Sequence, residues 1–244
     1  MDMLQHMKTL TNFTKNLGDL MEDNLEEEER NKYNGFVDNH SYGSDYERTS
    51  ATNRLSNGLG EVSEKYLNIL KSFEDNGDVS KVLDIGSGPG GVMNWVESFK
   101  NIECYGIDIS DSFIDKLKIN FPDLSDRVYV CNAKDLSRFD DNNFDLVQHT
   151  DGMEHIPPEW EVDCLKEAIR VSNKFVLYET ALGDAFADSW VFNKCKYKAA
   201  HINIKSRDSW MQFYEKYSDV FGFKIISSNS CSEVFSVILE KINE

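Results

Sequence analysis

The chain has no long apolar run. Nowhere does it approach the roughly 20 residues that a membrane-spanning helix needs, so no membrane insertion is expected. Basic residues are also scarce: 26 Lys and Arg stand against 43 Asp and Glu, a formal charge of -17. A surface this negative repels phosphate backbones and anionic headgroups, which argues against nucleic acid as a partner. The first residues lack a basic start followed by an apolar stretch, so no secretory signal is expected. The five cysteines (Cys104, Cys131, Cys164, Cys195, Cys231) are odd in number and scattered, with no C-x-x-C pair. That speaks against a disulfide framework and against a thiolate zinc site. Hydrophobic residues make up 40% and aromatics 12%, enough for a packed core. The expectation is a soluble, cytoplasmic, acidic globular protein.

The text of the chain changes near residue 80. Residues 1–30 follow a loose helical period that ends in the run Glu26–Glu29, read as a solvated helix face. Tyr33, Tyr42 and Tyr46 punctuate a polar stretch, and Val62–Phe73 resumes a helical period. Residues 1–75 are therefore expected to form a helical cap or lid, with 76–244 as the main domain. From residue 81, short apolar runs (81–85, 102–108, 127–131, 144–149 and 174–179) alternate with helical stretches at 91–99, 111–120 and 159–171. Alternation of this kind predicts right-handed βαβ units and a mostly parallel, doubly wound α/β sheet. A last helix over 206–221 precedes two strand-like runs, 221–228 and 233–241, close enough to pair antiparallel.

The most informative segment is Val82-Leu83-Asp84-Ile85-Gly86-Ser87-Gly88-Pro89-Gly90-Gly91, which ends a strand and opens a helix. It reads equally as G-x-G-x-x-G or as D-x-G-x-G, so the glycines alone leave a dinucleotide open. Asp84 would confront a pyrophosphate at close range but suits a ligand carrying an ammonium group. Pro89 removes one amide donor from the loop. Asp108 ends the next strand, where it can accept both hydroxyls of a ribose. No Tyr has a Lys four residues later, so the base pair of a short-chain dehydrogenase is missing.

VLDIGSGPGG, then YGIDIS, CNAKDL and FDLVQHTDGMEHIP, resembles the class I S-adenosylmethionine (SAM)-dependent methyltransferases, with the motifs in family order. The resemblance implies a Rossmann-like sheet of seven strands with an antiparallel C-terminal hairpin strand. It implies that Gly86, Ser87, Gly88 and Gly90 pass beneath the methionine part of SAM, with Asp84 near its amino group. Asp108 would hold the ribose, Ile109 would pack on adenine, and Asn132 and Ala133 would meet the adenine edge, with Asp135 nearby. His149 and Thr150 would line the floor near the sulfonium.

Asp151, Glu154 and His155 follow at i, i+3 and i+4 of an expected helical turn, a spacing that shares one face. His201 comes after the fifth strand. In some relatives, a small-RNA 2′-O-methyltransferase group and the ubiquinone-type O-methyltransferases, an acid-x-x-Glu-His turn and a later His hold a divalent cation beside the acceptor oxygen. The match here starts on Asp instead of Glu. Without a cation, His149 or His155 is the candidate catalytic base, because a neutral imidazole is a competent base near neutral pH. The segment 181–205, with Phe186, Trp190, Phe192 and Tyr197, reads as a lid or as an ordinary amphipathic helix. The expectation is methyl transfer to a small-molecule acceptor, at a hydroxyl oxygen of a sugar, phenol or lipid precursor. An NAD-type oxidoreductase and a non-catalytic SAM-binding partner protein are the competing readings.

Overall fold

The computed structural model of the chain describes residues 22–34, 60–77, 79–182, 201–231 and 234–242. The apolar runs form the strands β1 (Ser80–Ile85), β2 (Ile102–Asp108), β3 (Val128–Val130), β4 (Phe144–Thr150), β5 (Ser172–Ala181), β6 (Phe223–Cys231) and β7 (Val234–Lys241). They make one seven-stranded sheet in the order β3-β2-β1-β4-β5-β7-β6. The first five are parallel to their neighbours, and β7 enters antiparallel between β5 and β6. This is the seven-stranded Rossmann-like sheet with an antiparallel C-terminal hairpin that the resemblance implies. Strand order reverses between β1 and β4, and the carboxyl ends there frame the crevice where ligands of open α/β sheets sit.

Residues 22–34 are helical and are called α1. The other helices are α2 (Glu61–Asn76), α3 (Gly91–Val96), α4 (Asp111–Asn120), α5 (Glu161–Val171) and α6 (Arg207–Phe221). Because successive strand residues point to opposite faces, Val82, Leu146, Leu177 and Ile238 join one core with α2, α3 and α4. Leu83, Val147, Val176 and Val237 join the other with α5 and α6. On the first face, α2 buries Val62, Tyr66, Ile69, Leu70 and Phe73 against the sheet. The helix that the sequence reading placed in the N-terminal cap thus shares a core with β1.

Three elements differ from the sequence reading. α3 stops at Val96 instead of continuing to 99, because the chain turns there and reaches Asn101 at a φ of 60°. The turn after β4 is only three residues long, a 3-10 turn over Met153–His155. The acidic run is solvated only in part: Glu27 and Glu28 are exposed, but Glu29 is buried, Glu26 is half-buried, and Leu25 packs on the core of the α5 side. The helical pattern before residue 22, Tyr42 and Tyr46, and Phe186, Trp190, Phe192 and Tyr197 lie outside the described residues.

The N-terminus of α4 is closed by Ser110. Its Oγ accepts from the Phe113 amide at 3.1 Å and donates to Asn34 Oδ1 of α1 at 2.7 Å. Ser110→Ala removes the cap and leaves Asn34 without that donor. It is expected to cost about 1 kcal/mol, read as a lower urea midpoint at unchanged slope.

Candidate active site

The glycine loop joins β1 to α3. Gly86, Gly88 and Gly90 have φ of 68°, 49° and 91°, left-handed backbone that side chains rarely adopt. A Cβ at Gly90 would stand 2.7 Å from Leu117 Cγ, so this position also lets α4 pack close to the loop. The Ser87 amide donates to the Ile107 carbonyl at 2.9 Å, and the Gly88 amide donates to Asp108 Oδ2 at 3.0 Å. Asp108 Oδ1 accepts from the Ser110 amide at 2.9 Å. One carboxylate therefore fixes the loop after β1 and the turn after β2 in the same place.

Asp84 and Asp108 are both buried at the head of this crevice. Burial pushes the Asp84 carboxyl up to about 7, opposed by the Gln148 amide and helped by the charge of Asp108. Burial likewise raises Asp108 to about 6, held back by the Ser110 and Gly88 amides. Asp84 Oδ1 accepts from Gln148 Nε2 at 3.0 Å, while Asp84 Oδ2 and Ser87 Oγ are buried without a hydrogen-bond partner among the described residues. Buried polar atoms are rarely left so in a native protein, and an orphaned carboxylate oxygen beside a glycine loop is the place for an ammonium donor.

The rim of the crevice comes from the turns after β3 and β4. Asn132 is buried, donates Nδ2 to Glu26 Oε2 of α1 at 3.1 Å and accepts from the Lys134 amide at 3.2 Å. Ala133 is buried beside it, and Ile109 packs on the core. Asp135 is exposed and accepts from the Ser137 amide at 3.0 Å, so it serves its own turn. His149 is buried at the end of β4, and Thr150 beyond it is half-buried. Burial, then the positive charge of His155, lowers the His149 imidazole to about 3. A base that accepts a proton only so far below neutrality is a poor one, which weighs against His149 as the catalytic base and leaves His155, the other candidate of the sequence reading.

Beyond the floor, Glu154, His155 and His201 bring one ligand atom each to within 4.8 Å of one another. Glu154 is fully buried. Its Oε2 accepts from Thr180 Oγ1 at 2.9 Å and its Oε1 from the Ala181 amide at 3.1 Å. Burial, with the charge of Asp151, raises its carboxyl to about 8. His201 is brought over it by the Ile202 and Asn203 amides, which donate to the Glu154 carbonyl at 2.9 Å and 3.0 Å. Asp151 does not join this group. It is exposed with a φ of 49°, outside the short 3-10 turn, so the expected shared face for residues 151, 154 and 155 is corrected to Glu154 and His155 with His201.

The sequence reading expected an N-terminal cap but did not name Asn34 or Glu26 as residues that reach the crevice. Tyr33 stands edge-on to His155 with ring centroids 5.9 Å apart, and its buried hydroxyl has no hydrogen-bond partner among the described residues. Asn34 reaches the Ser110 turn and Glu26 reaches Asn132, so one helix touches both sides of the crevice. These contacts span 76 to 106 residues of sequence, a separation that no local pattern encodes. Gln148 did carry a signal, as a polar side chain in the middle of a strand buried on both faces.

Comparison with known proteins agrees with the fold. Residues 82–174 match the family model described as a methyltransferase domain. Residues 82–174 are thus a methyltransferase domain, and the chain around them is similar to SAM-dependent methyltransferases. A relative, phosphoethanolamine N-methyltransferase of Plasmodium falciparum, is 24% identical over 213 residues, covering 84% of this chain and 76% of the relative. A SAM-dependent methyltransferase from Aquifex aeolicus has the same fold, with a TM-score of 0.53 at 16% identity over 83% of this chain and 100% of that one. The methyltransferase domain of bacterial CtHen1-CN gives 0.56 at 15% identity, over 72% and 96%. The cyclase SpnF matches as well as either, with a TM-score of 0.56 at 14% identity over 83% and 95%, so at this distance the fold does not carry the reaction.

The methyltransferase has little space between His149 and the turn that follows it. A Cβ at Gly152 would lie 1.9 Å from the His149 ring. Gly152→Ala is expected to drive that ring out of place and to cost about 1–3 kcal/mol of stability, measured by chemical denaturation. Stability equal to the parent would show that the turn yields freely.

Proposed function

We propose that this protein transfers the methyl group of SAM to a hydroxyl oxygen of a small molecule, with a divalent cation at Glu154, His155 and His201 holding the acceptor. The observation that carries the reading is the convergence of those three side chains at the carboxyl ends of β4 and β5. SAM supplies a methyl group made electrophilic by its sulfonium. Asp84 and Ser87 would receive its amino-acid end, using the buried oxygens that lack partners. Asp108 would accept the ribose hydroxyls with lone pairs left over from its two amide bonds, and Asn132 with Ala133 would border the adenine. Two imidazoles and a carboxylate form a donor set that fits a divalent first-row cation, and such a cation acidifies and orients a bound hydroxyl.

What the chain itself contributes is mainly position. In-line displacement needs the acceptor oxygen close to the methyl carbon and opposite sulfur, and fixing both partners supplies most of the rate. β1 and β2 would fix one partner, and the turns after β4 and β5 the other. α1 would close over both, with Tyr33 against His155 and Glu26 against Asn132, and keep water from the reacting atoms. If no cation is needed, His155 is the imidazole left to take the hydroxyl proton.

An amine acceptor is the second reading, favoured by the relative named for N-methylation of phosphoethanolamine. The two separate in one assay. Purified protein is given SAM with sugar, phenol and amine acceptors, before and after EDTA treatment. Methylation of a hydroxyl that stops with EDTA and returns with Mg2+ or Mn2+ is expected. Methylation confined to an amine and indifferent to EDTA would contradict the proposal.

A pH dependence follows from Asp84. Its carboxyl is half protonated near 7 in the free protein, and an ammonium ligand pairs with the ionised form. Affinity for S-adenosylhomocysteine is therefore expected to fall on going from about pH 8 to about pH 6, by up to tenfold per unit below the pKa. A flat profile in calorimetric titration would remove the ammonium from Asp84.

A further inference from the structure

Three buried side chains form a chain of hydrogen bonds into the cofactor crevice. The Tyr66 hydroxyl of α2 donates to Gln148 Oε1 of β4, and Gln148 Nε2 donates to Asp84 Oδ1 of β1 at 3.0 Å. All three are buried, with exposures of 0%, 0% and 1%. Asp84 and Gln148 are register partners on adjacent parallel strands, so their side chains share the sheet face that α2 covers.

The direction of this chain matters. A primary amide has one accepting end and one donating end, and it can turn over to exchange them. A tyrosine hydroxyl buried among acids keeps its proton: burial, then the charges of Asp84, Cys104 and Glu179, raise Tyr66 well above its ordinary value. It donates to Gln148, and the end of Gln148 that accepts is the carbonyl oxygen. The amide nitrogen is then committed to Asp84 Oδ1, which leaves Asp84 Oδ2 as the oxygen without a partner.

We infer that Tyr66 is a positioning residue for the amino-acid end of the cofactor, acting through Gln148 to hold Asp84 with Oδ2 presented to the ligand's ammonium group. The inference rests on the placement of that ammonium at Asp84 given above. It also assigns a task to α2, which precedes the matched methyltransferase domain at residues 82–174. Tyr66 reaches across the sheet face to an acid inside that domain, so the position of α2 and recognition of the cofactor are linked. With α2 displaced, Gln148 loses its orientation and Asp84 its fixed rotamer.

The test compares two ligands that differ only at the end in question. S-adenosylhomocysteine carries the amino acid, and 5′-methylthioadenosine is the same adenosine thioether without it. Calorimetric Kd values are measured for both with the parent protein, Tyr66→Phe, Gln148→Met and Asp84→Asn. Tyr66→Phe is expected to weaken S-adenosylhomocysteine about three- to tenfold, the effect of one lost hydrogen bond, and to leave 5′-methylthioadenosine unchanged. Gln148→Met should shift the ratio in the same sense, and it carries the test if Tyr66→Phe does not fold. Asp84→Asn should shift the ratio furthest. Equal weakening of both ligands by Tyr66→Phe would mean that Tyr66 only supports the fold and would overturn the inference. A ratio moved by Asp84→Asn but by neither Tyr66→Phe nor Gln148→Met would overturn it while leaving the ammonium at Asp84. A ratio unmoved by Asp84→Asn would remove the placement itself, and the inference with it.

Discussion

The carboxylate of Asp108 holds the crevice in shape. One oxygen takes the Gly88 amide and the other the Ser110 amide, so the glycine loop after β1 and the entry to α4 are drawn to the same side chain. A buried carboxylate costs free energy unless its lone pairs are answered, and two backbone donors answer it here. Its carboxyl stands higher than an ordinary aspartate because burial outweighs those bonds. The loop can meet Asp108 because Gly86, Gly88 and Gly90 take left-handed backbone. Ser110 then passes the constraint outward by capping α4 and by meeting Asn34 of α1.

From that point the two ends of the crevice acquire different characters. At β1 and β2 the polar groups are acids with oxygens still open to donors, which suits a cationic amino group and a ribose. At β4 and β5 the groups are Glu154 and two imidazoles, one of them His201, lowered to about 4 by burial and by the charge of His155. Imidazoles beside a buried carboxyl suit a cation, not a phosphate. The acidic balance of the whole chain points the same way, since the surface does nothing to gather anions.

Most of the sheet was legible because parallel strands buried on both faces must be written as continuous Val, Ile and Leu runs. β2 and the start of β4 fall where those runs lie, and Asp84, Asp108 and the glycines sit where a strand must turn into a helix. Legibility failed where the determinant is not local. The Glu26–Glu29 run looks like a solvated face, and Glu27 and Glu28 are exposed, yet Glu26 meets Asn132 and Glu29 is buried, because the other side of α1 lies on the crevice. The turn after β4 failed for a conformational reason. Asp151 takes a positive φ ahead of a three-residue turn, so helical spacing does not apply to it. Tyr66 shows a third case: its place on the helical period of α2 announces only a core residue, while its hydroxyl finds a partner 82 residues away.

The central claim is that the crevice around Asp84 and Asp108 is built for the adenosyl amino acid and not for a dinucleotide. Calorimetric titration of the purified protein with S-adenosylhomocysteine, with NAD as the control, tests it most directly. Micromolar binding of S-adenosylhomocysteine and no heat from NAD is the predicted result. Binding of NAD with no response to S-adenosylhomocysteine would contradict the account.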